Sequence, residues 1–352
     1  MAGYPVRKDS RQGFRFFLAL MFTAALALTA GAQAQPAAAV QNQAKAQPVK
    51  KPVRAMKATV KAAKTGKKAT LKKAQVRAEV PSNSFGHQYG LQNADDALAL
   101  KSSVALVVDQ DTNEVLFSKN PQAVLPIASI TKLMTALVVT ETGLSLQDTL
   151  SVSQDDVDAT AGSRSRLKLG TSLTRGEMLH LALMSSENRA AHVLGRNYPG
   201  GTAAFVSAMN AKAQALGMRD THYVEPTGLS SNNQSSAQDL ARLVRAAYEH
   251  PIIRDLSTSQ EAMVPVGSKP MQFRNTNGLV LNPDWEVGLQ KTGYISAAGR
   301  CLVMQAQVAG RKLIMVLLDS AGKYSRIGDA ERIRKWLATA PMVPAAIAAQ
   351  PR

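Results

Sequence analysis

From residue 103 onward the sequence alternates between short apolar runs and longer stretches whose apolar residues recur at helical spacing. Ser103-Val104-Ala105-Leu106-Val107-Val108 is a continuous apolar run of strand length. The turn-rich Asp109–Asn113 separates it from Glu114-Val115-Leu116-Phe117-Ser118, so the pair reads as a hairpin. Pro126 breaks the chain, and between Ser129 and Thr142 the residues Leu133, Ala136, Leu137 and Val139 keep helical spacing until Gly143 stops it. Thr174-Arg175-Gly176-Glu177 has the form of a capping box and opens a helix to about Met184. Further helices are predicted after Ser186-Glu187-Asn188, over Thr202–Leu216 and over Ala237–Tyr248. Beyond about Met263 the pattern turns to strands at Gly288–Lys291, Cys301–Val308 and Leu313–Asp319, and Asp329–Ala338 closes as a helix. Hairpin, helices, three strands and helix, without a regular βα alternation, predict an α+β fold: an antiparallel β-sheet flanked by helices. The folded part is expected to begin near Leu98.

The segment ahead of this pattern has a different character. Residues 1–34 carry a basic start, an apolar stretch from Phe16 to Ala30 and the small-x-small string Ala32-Gln33-Ala34, the form of an export signal cleaved after about Ala34. Residues 35–94 are rich in Ala, Lys, Gln and Pro and poor in large apolar side chains, and are expected to form a disordered basic tether. The charge map follows the same division. Of the net +17, residues 1–34 hold +3, residues 35–78 hold +12 and the remainder only +2. The basicity therefore belongs to the tether, where residues 35–78 could give weak contact with an anionic wall or membrane surface, or act as a plain solvated spacer. Nucleic acid is not expected as a partner of an exported chain. The expected layout is a signal peptide (1–34), the tether (35–94), a catalytic domain (95–340) and a flexible tail (341–352), with the protein in the periplasm.

One cysteine, Cys301, rules out an internal disulfide and a multi-cysteine metal site. It lies in an apolar strand-like run and is expected to be packing rather than a nucleophile.

Three short strings carry the candidate chemistry. Ser129-Ile130-Thr131-Lys132 places a serine and a lysine one helical turn apart, on one face. A free serine is a weak nucleophile and needs a base. Lysine ordinarily titrates near 10.4, but burial disfavours its charged form, so a buried Lys132 can take the Ser129 proton. Taken alone, the pair reads as an ordinary surface helix start; the other two strings are what shift the balance. Ser186-Glu187-Asn188 falls on a connection between two predicted helices, where the Ser186 hydroxyl can bridge Lys132 to a leaving nitrogen and the Asn188 amide can hold a peptide carbonyl. Helix capping by Ser186 is the competing reading. Lys291-Thr292-Gly293 follows a strand, and its glycine lets a substrate backbone lie close while Lys291 and Thr292 face a carboxylate. Taken alone it could be a basic turn. The five histidines have no nucleophile-elbow context, which leaves little support for a Ser-His-Asp hydrolase.

In this order, the three strings resemble those of the penicillin-binding proteins and serine β-lactamases. Pro126 through Ala136, Lys291-Thr292-Gly293-Tyr294 and Ala298-Gly299-Arg300-Cys301-Leu302-Val303 are similar to the low-molecular-mass D-alanyl-D-alanine peptidases. Met184 through Ala191, Tyr198-Pro199-Gly200-Gly201 and Glu225-Pro226-Thr227-Gly228-Leu229 look most like their endopeptidase branch. The resemblance spans about residues 95–340. It implies the transpeptidase-like fold, with an all-helical subdomain beside the sheet. It implies Ser129 as the acylated residue, Lys132 as proton acceptor and Ser186 as proton relay. Asn188, Lys291, Thr292, Gly293 and Tyr294 would bind substrate, with the Ser129 and Tyr294 N–H groups as an oxyanion hole. It implies no metal and no organic cofactor. The implied partners are peptidoglycan peptide cross-links as substrate and β-lactams as covalent inhibitors.

Only about fourteen residues, Thr339–Arg352, follow the last predicted helix, which favours the shorter endopeptidase type over carboxypeptidases with an added β-domain. No Glu-x-x-Leu-Asn string of the class A β-lactamases stands between Asn188 and Lys291, so stable acylation by penicillin is expected rather than rapid hydrolysis. The resulting expectation is a periplasmic serine D,D-endopeptidase cutting D-alanyl–diaminopimelate cross-links. The alternatives are a D-alanyl-D-alanine carboxypeptidase and a non-catalytic wall-binding protein.

Overall fold

The computed structural model describes residues 84–267 and 269–339. The expected signal, most of the tether and the expected tail lie outside the described residues.

The described residues already form structure from Ser84, ahead of the position near Leu98 where the apolar pattern predicts a folded part to begin. The short helix α1 (Phe85–Gln88) docks through Phe85 N–H to the Ala297 carbonyl at 2.9 Å, and the Asn120 amide donates to Leu91 O at 2.9 Å. These anchors are backbone and polar contacts, which a hydrophobicity pattern does not register. The hairpin β1 (Ser102–Asp109) and β2 (Val115–Lys119) follows, close to the predicted limits. A short strand, β3 (Leu125–Pro126), leads into α2 (Thr131–Glu141). The small hairpin of β4 (Thr149–Ser151) and β5 (Ser172–Thr174) encloses α3 (Gln154–Ala159).

The helices α4 (Arg175–Met184), α5 (Asn188–Arg196) and α6 (Gly201–Ala215) come next. The predicted capping box opens α4: Glu177 N–H donates to Thr174 Oγ1 at 3.1 Å, and Thr174 N–H donates to Glu177 Oε2 at 2.8 Å. Strand β6 (Gln234–Ser235) pairs with β3, and α7 (Ala237–Tyr248) follows. Helix α8 (Pro251–Thr258) was not apparent from the apolar pattern, which also gave only a general strand tendency to the hairpin β7 (Glu261–Val266) and β8 (Lys269–Arg274). Three long strands, β9 (Glu286–Ile295), β10 (Gly299–Val308) and β11 (Arg311–Ser320), lead to α9 (Ser325–Thr339).

The main sheet is antiparallel, in the order β2-β1-β11-β10-β9. Its centre is covered on both faces, which is why β1 reads as an unbroken apolar run rather than an alternation. Val104, Leu106, Val303, Ile314 and Val316 face one core with α2, α4, α5 and α7. Ala105, Val107, Leu302, Met304 and Met315 face a second core with Ala330 and Ile333 of α9. Helix α2 is buried from Thr131 to Val139, on all sides, as a helix at the centre of a helical layer must be. Strand β9 closes the sheet at one edge and runs past the turn ahead of α2. Among the described residues no helix is long and apolar enough to cross a membrane.

Candidate active site

Ser129 does not sit inside the α-helix. It occupies a 3-10 turn, Ala128–Ile130, immediately before α2, with Lys132 in the first turn of that helix. Ala128 has φ +48°, a left-handed conformation costly for a residue with a Cβ. Two glycines hold this turn from opposite sides. A Cβ on Gly228 (φ +83°) would lie 1.9 Å from Ala128 O and 2.7 Å from Ser129 N. A Cβ on Gly293 would lie 3.0 Å from both Ile127 O and Ser129 N. The close approach of β9 to the nucleophile's own N–H therefore depends on the glycine of Lys291-Thr292-Gly293.

Lys132 is fully buried. Its Nζ lies 2.8 Å from Ser129 Oγ, 2.7 Å from Asn188 Oδ1 and 2.6 Å from the Thr227 carbonyl. All three neighbours are neutral. Burial lowers the Lys132 pKa from 10.5 to about 7, opposed in part by the carboxylates of Glu225 and Glu187. A neutral amine has two N–H bonds and one lone pair. Asn188 and Thr227 can take the two N–H groups, which leaves the lone pair for the Ser129 hydroxyl.

Ser186 forms the sharp turn between α4 and α5, with φ +61°. The sequence leads one to expect it beside Lys132. The structure instead puts Ser186 Oγ 2.9 Å from Lys291 Nζ, which also donates to Thr292 O at 2.9 Å. Lys291 is completely buried, and among the described residues no carboxylate accepts from it. Burial, with the charges of Lys132 and Arg326 adding to it, holds its pKa well below the ordinary lysine value. An arriving carboxylate would reverse that balance by supplying the missing counter-charge. Thr292 Oγ1 shares a 2.6 Å hydrogen bond with Thr276 Oγ1. Asn188 was expected to meet a substrate carbonyl. Its Oδ1 is taken by Lys132, so its amide nitrogen is the end left for substrate. Tyr294 is exposed on β9, with the Arg300 guanidinium 4.5 Å from its ring centre.

Four site features were not singled out beforehand. Thr227 contributes through its backbone carbonyl, and Gly228 through the space it leaves, so neither side chain advertises a role. Glu187 is buried and accepts from Ser165 Oγ at 2.7 Å and from Arg166 Nε at 3.2 Å, tying the Ser186 turn to the 160s loop. Arg326, at the start of α9, has buried Nε and Nη1 atoms without a hydrogen-bond partner, close enough for its charge to depress Lys291. Its distance in sequence from every motif hid it.

Cys301 is buried, its Sγ 3.4 Å from Ala298 O, and burial pushes its thiol up to about 12, an inert packing group. His192 pairs with Asp156 at 2.7 Å and makes no hydrogen bond to Ser129, Lys132 or Lys291 among the described residues. Among the described residues no group of three or more His, Cys, Asp or Glu side chains is arranged to hold a metal ion.

The comparisons agree with this geometry. Residues 91–322 match the family described as D-alanyl-D-alanine carboxypeptidase. The chain is 49% identical over 251 residues to the D-alanyl-D-alanine endopeptidase of Pseudomonas aeruginosa, covering 70% of this chain and 81% of that protein. It is 46% identical over 252 residues to the D-alanyl-D-alanine endopeptidase of Escherichia coli, covering 71% and 81%. Among solved structures, the Streptomyces K15 DD-transpeptidase aligns with TM-score 0.63 at 26% identity, covering 67% of this chain and 97% of that one. The D-alanyl-D-alanine carboxypeptidase of Mycobacterium tuberculosis aligns with TM-score 0.62 at 28% identity, covering 68% and 92%. With the serine bonded to the buried lysine and packed against Gly293 of β9, and with a family match across most of the described residues, the chain belongs to the D-alanyl-D-alanine carboxypeptidase family of serine peptidases.

Proposed function

We propose that this protein is a serine D,D-endopeptidase that hydrolyses D-alanyl–diaminopimelate cross-links in peptidoglycan through a Ser129 acyl-enzyme. The observation that carries the reading is the Lys132 amine, buried among neutral acceptors 2.8 Å from Ser129 Oγ. In acylation, Ser129 Oγ attacks the D-alanyl carbonyl while its proton moves to Lys132 Nζ. The developing oxyanion meets the Ser129 and Tyr294 N–H groups. The C–N bond breaks, and the proton held on Lys132 passes through the Ser186 hydroxyl to the leaving amine, which returns Lys132 to its neutral form. Lys291 donates to Ser186 Oγ at 2.9 Å and so orients the relay hydroxyl. Lys291 and Thr292 hold the carboxylate beside the scissile bond. Water then attacks the ester carbonyl and gives its proton to Lys132; the ester C–O bond breaks, Lys132 returns that proton to Ser129 Oγ, and the acyl group leaves as a carboxylic acid. β-Lactams present a similar carbonyl and carboxylate and would acylate Ser129.

The endopeptidase reading draws on the two relatives of that name; the family description supports removal of terminal D-alanine as a second reading. We place the enzyme in the periplasm, with residues 1–34 as a cleaved signal, residues 35–78 as a cationic tether and residues 341–352 as a tail. Digestion of purified cross-linked dimers beside pentapeptide monomers is expected to convert dimers to monomers. Release of D-alanine from pentapeptides with dimers intact would transfer the assignment to the carboxypeptidase.

A further inference from the structure

The loop that closes over Lys132 is held together by one carboxylate. Glu225 Oε2 accepts from Thr227 N–H at 2.6 Å. Its Oε1 accepts from Gly228 N–H at 2.6 Å, from Ser230 N–H at 3.3 Å and from Asn233 Nδ2 at 2.9 Å. The chain is thereby folded back on its own carboxylate, and three contacts with the catalytic segment result. The Thr227 carbonyl meets Lys132 Nζ at 2.6 Å, the Pro226 carbonyl accepts from Thr135 Oγ1 at 2.7 Å, and Gly228 lies against Ala128 and Ser129. Asn233, which donates to Glu225, also donates to Thr131 Oγ1 at 3.1 Å, beside Lys132 in the chain. Glu225 thus makes no hydrogen bond to Ser129 or Lys132, yet it fixes groups that touch both.

We propose that Glu225 is a positioning residue for the acylation step: its carboxylate folds the 225–233 loop so that the Thr227 carbonyl takes one Lys132 N–H. Its negative charge also favours the protonated form of Lys132, against the larger opposing effect of burial. This rests on the reading of Ser129 and Lys132 as the acylating pair. The charged groups around Lys132 come from three elements. Glu225 faces it from the loop, Glu187 from the turn ahead of α5, and Lys291 from β9. Glu187 is already neutralised in part by Arg166, at 3.2 Å. No cation pairs with Glu225 among the described residues, so its field acts on Lys132 with less cancellation, and it is the larger of the two influences holding the Lys132 proton.

The test compares the full chain with Glu225→Gln and Glu225→Asp, measuring the second-order rate of Ser129 acylation by a fluorescent penicillin against pH, with thermal melts alongside. In the parent the rate should fall on the acid side with a midpoint near 7. Glu225→Gln removes the charge and turns an NH2 group toward N–H donors. Its midpoint should move to lower pH by about half a unit or more, and its plateau rate should drop by about tenfold. Glu225→Asp keeps the charge and shortens the reach, so the midpoint stays where the parent has it while the plateau falls. A Gln midpoint equal to the parent's, even with a lower melt, marks a merely structural residue and overturns the proposal. A parental plateau in the Asp variant, the change best tolerated by the fold, overturns it as well. A parent with no Ser129 adduct overturns the acyl-enzyme reading and this proposal together; a normal parent with either variant result overturns this proposal alone.

Discussion

Two of the buried lysines, Lys119 and Lys132, have surroundings that differ in one respect. Lys119, at the end of β2, has its Nζ 2.8 Å from Asp96 Oδ2, with both side chains almost fully covered. Asp96 also accepts from the Leu98 and Leu100 N–H groups, and these contacts hold its carboxyl below the usual range against the opposing effect of burial. Lys132 is as well covered, but each atom it bonds is a neutral oxygen. The first arrangement keeps a charge in the interior by pairing it. The second makes the charge costly, and an amine that readily gives up its proton is a base. Burial alone does not make a candidate base: Lys132 is buried without a bonded carboxylate and also lies 2.8 Å from a hydroxyl that can give it a proton.

The contrast can be broken most severely at Lys132. Lys132→Arg keeps the positive charge and removes the only form that can accept a proton. Penicillin acylation of Ser129 should fall by about a thousandfold or more, measured by adduct formation over time. Asp96→Asn applies the opposite insult, leaving Lys119 buried without its counter-charge. A loss of about 3–5 kcal/mol is expected in denaturant unfolding, with the acylation rate of the folded fraction unchanged. Should the acylation rate drop with the stability, the two lysine regions would not be independent.

A third change acts on the backbone beside the nucleophile. Gly228→Ala puts a methyl group where Ala128 O now lies, at a φ of +83°. The Ser129 turn must shift, and the acylation rate should fall by about 10- to 100-fold, more than the thermal melt would suggest.

A last comparison reads the buried charge of Lys132 through pH. The Lys132 pKa is about 7 when folded and 10.5 when exposed, so between these values the unfolded chain binds more protons and the parent's stability rises with pH. Below about 7 the full cost of the buried charge is present. Lys132→Met should therefore gain most in melting temperature, relative to the parent, below pH 7, and this gain should shrink as pH rises toward 10.5. A pH-independent difference would mean that Lys132 keeps an ordinary titration in the fold.

The sheet and most helices were legible because their signals are local. The Thr174–Glu177 capping box, the apolar run of β1 and the Gly217 stop after α6 each lie within a few residues of what they control. The three strings were legible for a different reason: they resemble a known constellation. The resemblance implied roles, but the residues themselves did not give the contacts. Ser186 meets Lys291 rather than Lys132, and Asn188 presents its oxygen to Lys132. Helix α1 escaped because polar docking carries no apolar signal, and helix α8 because eight residues are too short a window for a periodic pattern to stand out.

By itself, the sequence determined the α+β order of elements, the placement of nearly all the net charge ahead of the domain, and a serine and a lysine one turn apart. Tertiary structure alone decided the surroundings that make this lysine a candidate base. Its pKa depends on which groups from residues 186–188, 225–228 and 291 come within a few ångströms of Nζ, and a string three residues long does not encode its neighbours across the fold. The left-handed turns at Ala128 and Ser186 are likewise products of packing, since neither residue adopts that conformation unless its surroundings compel it.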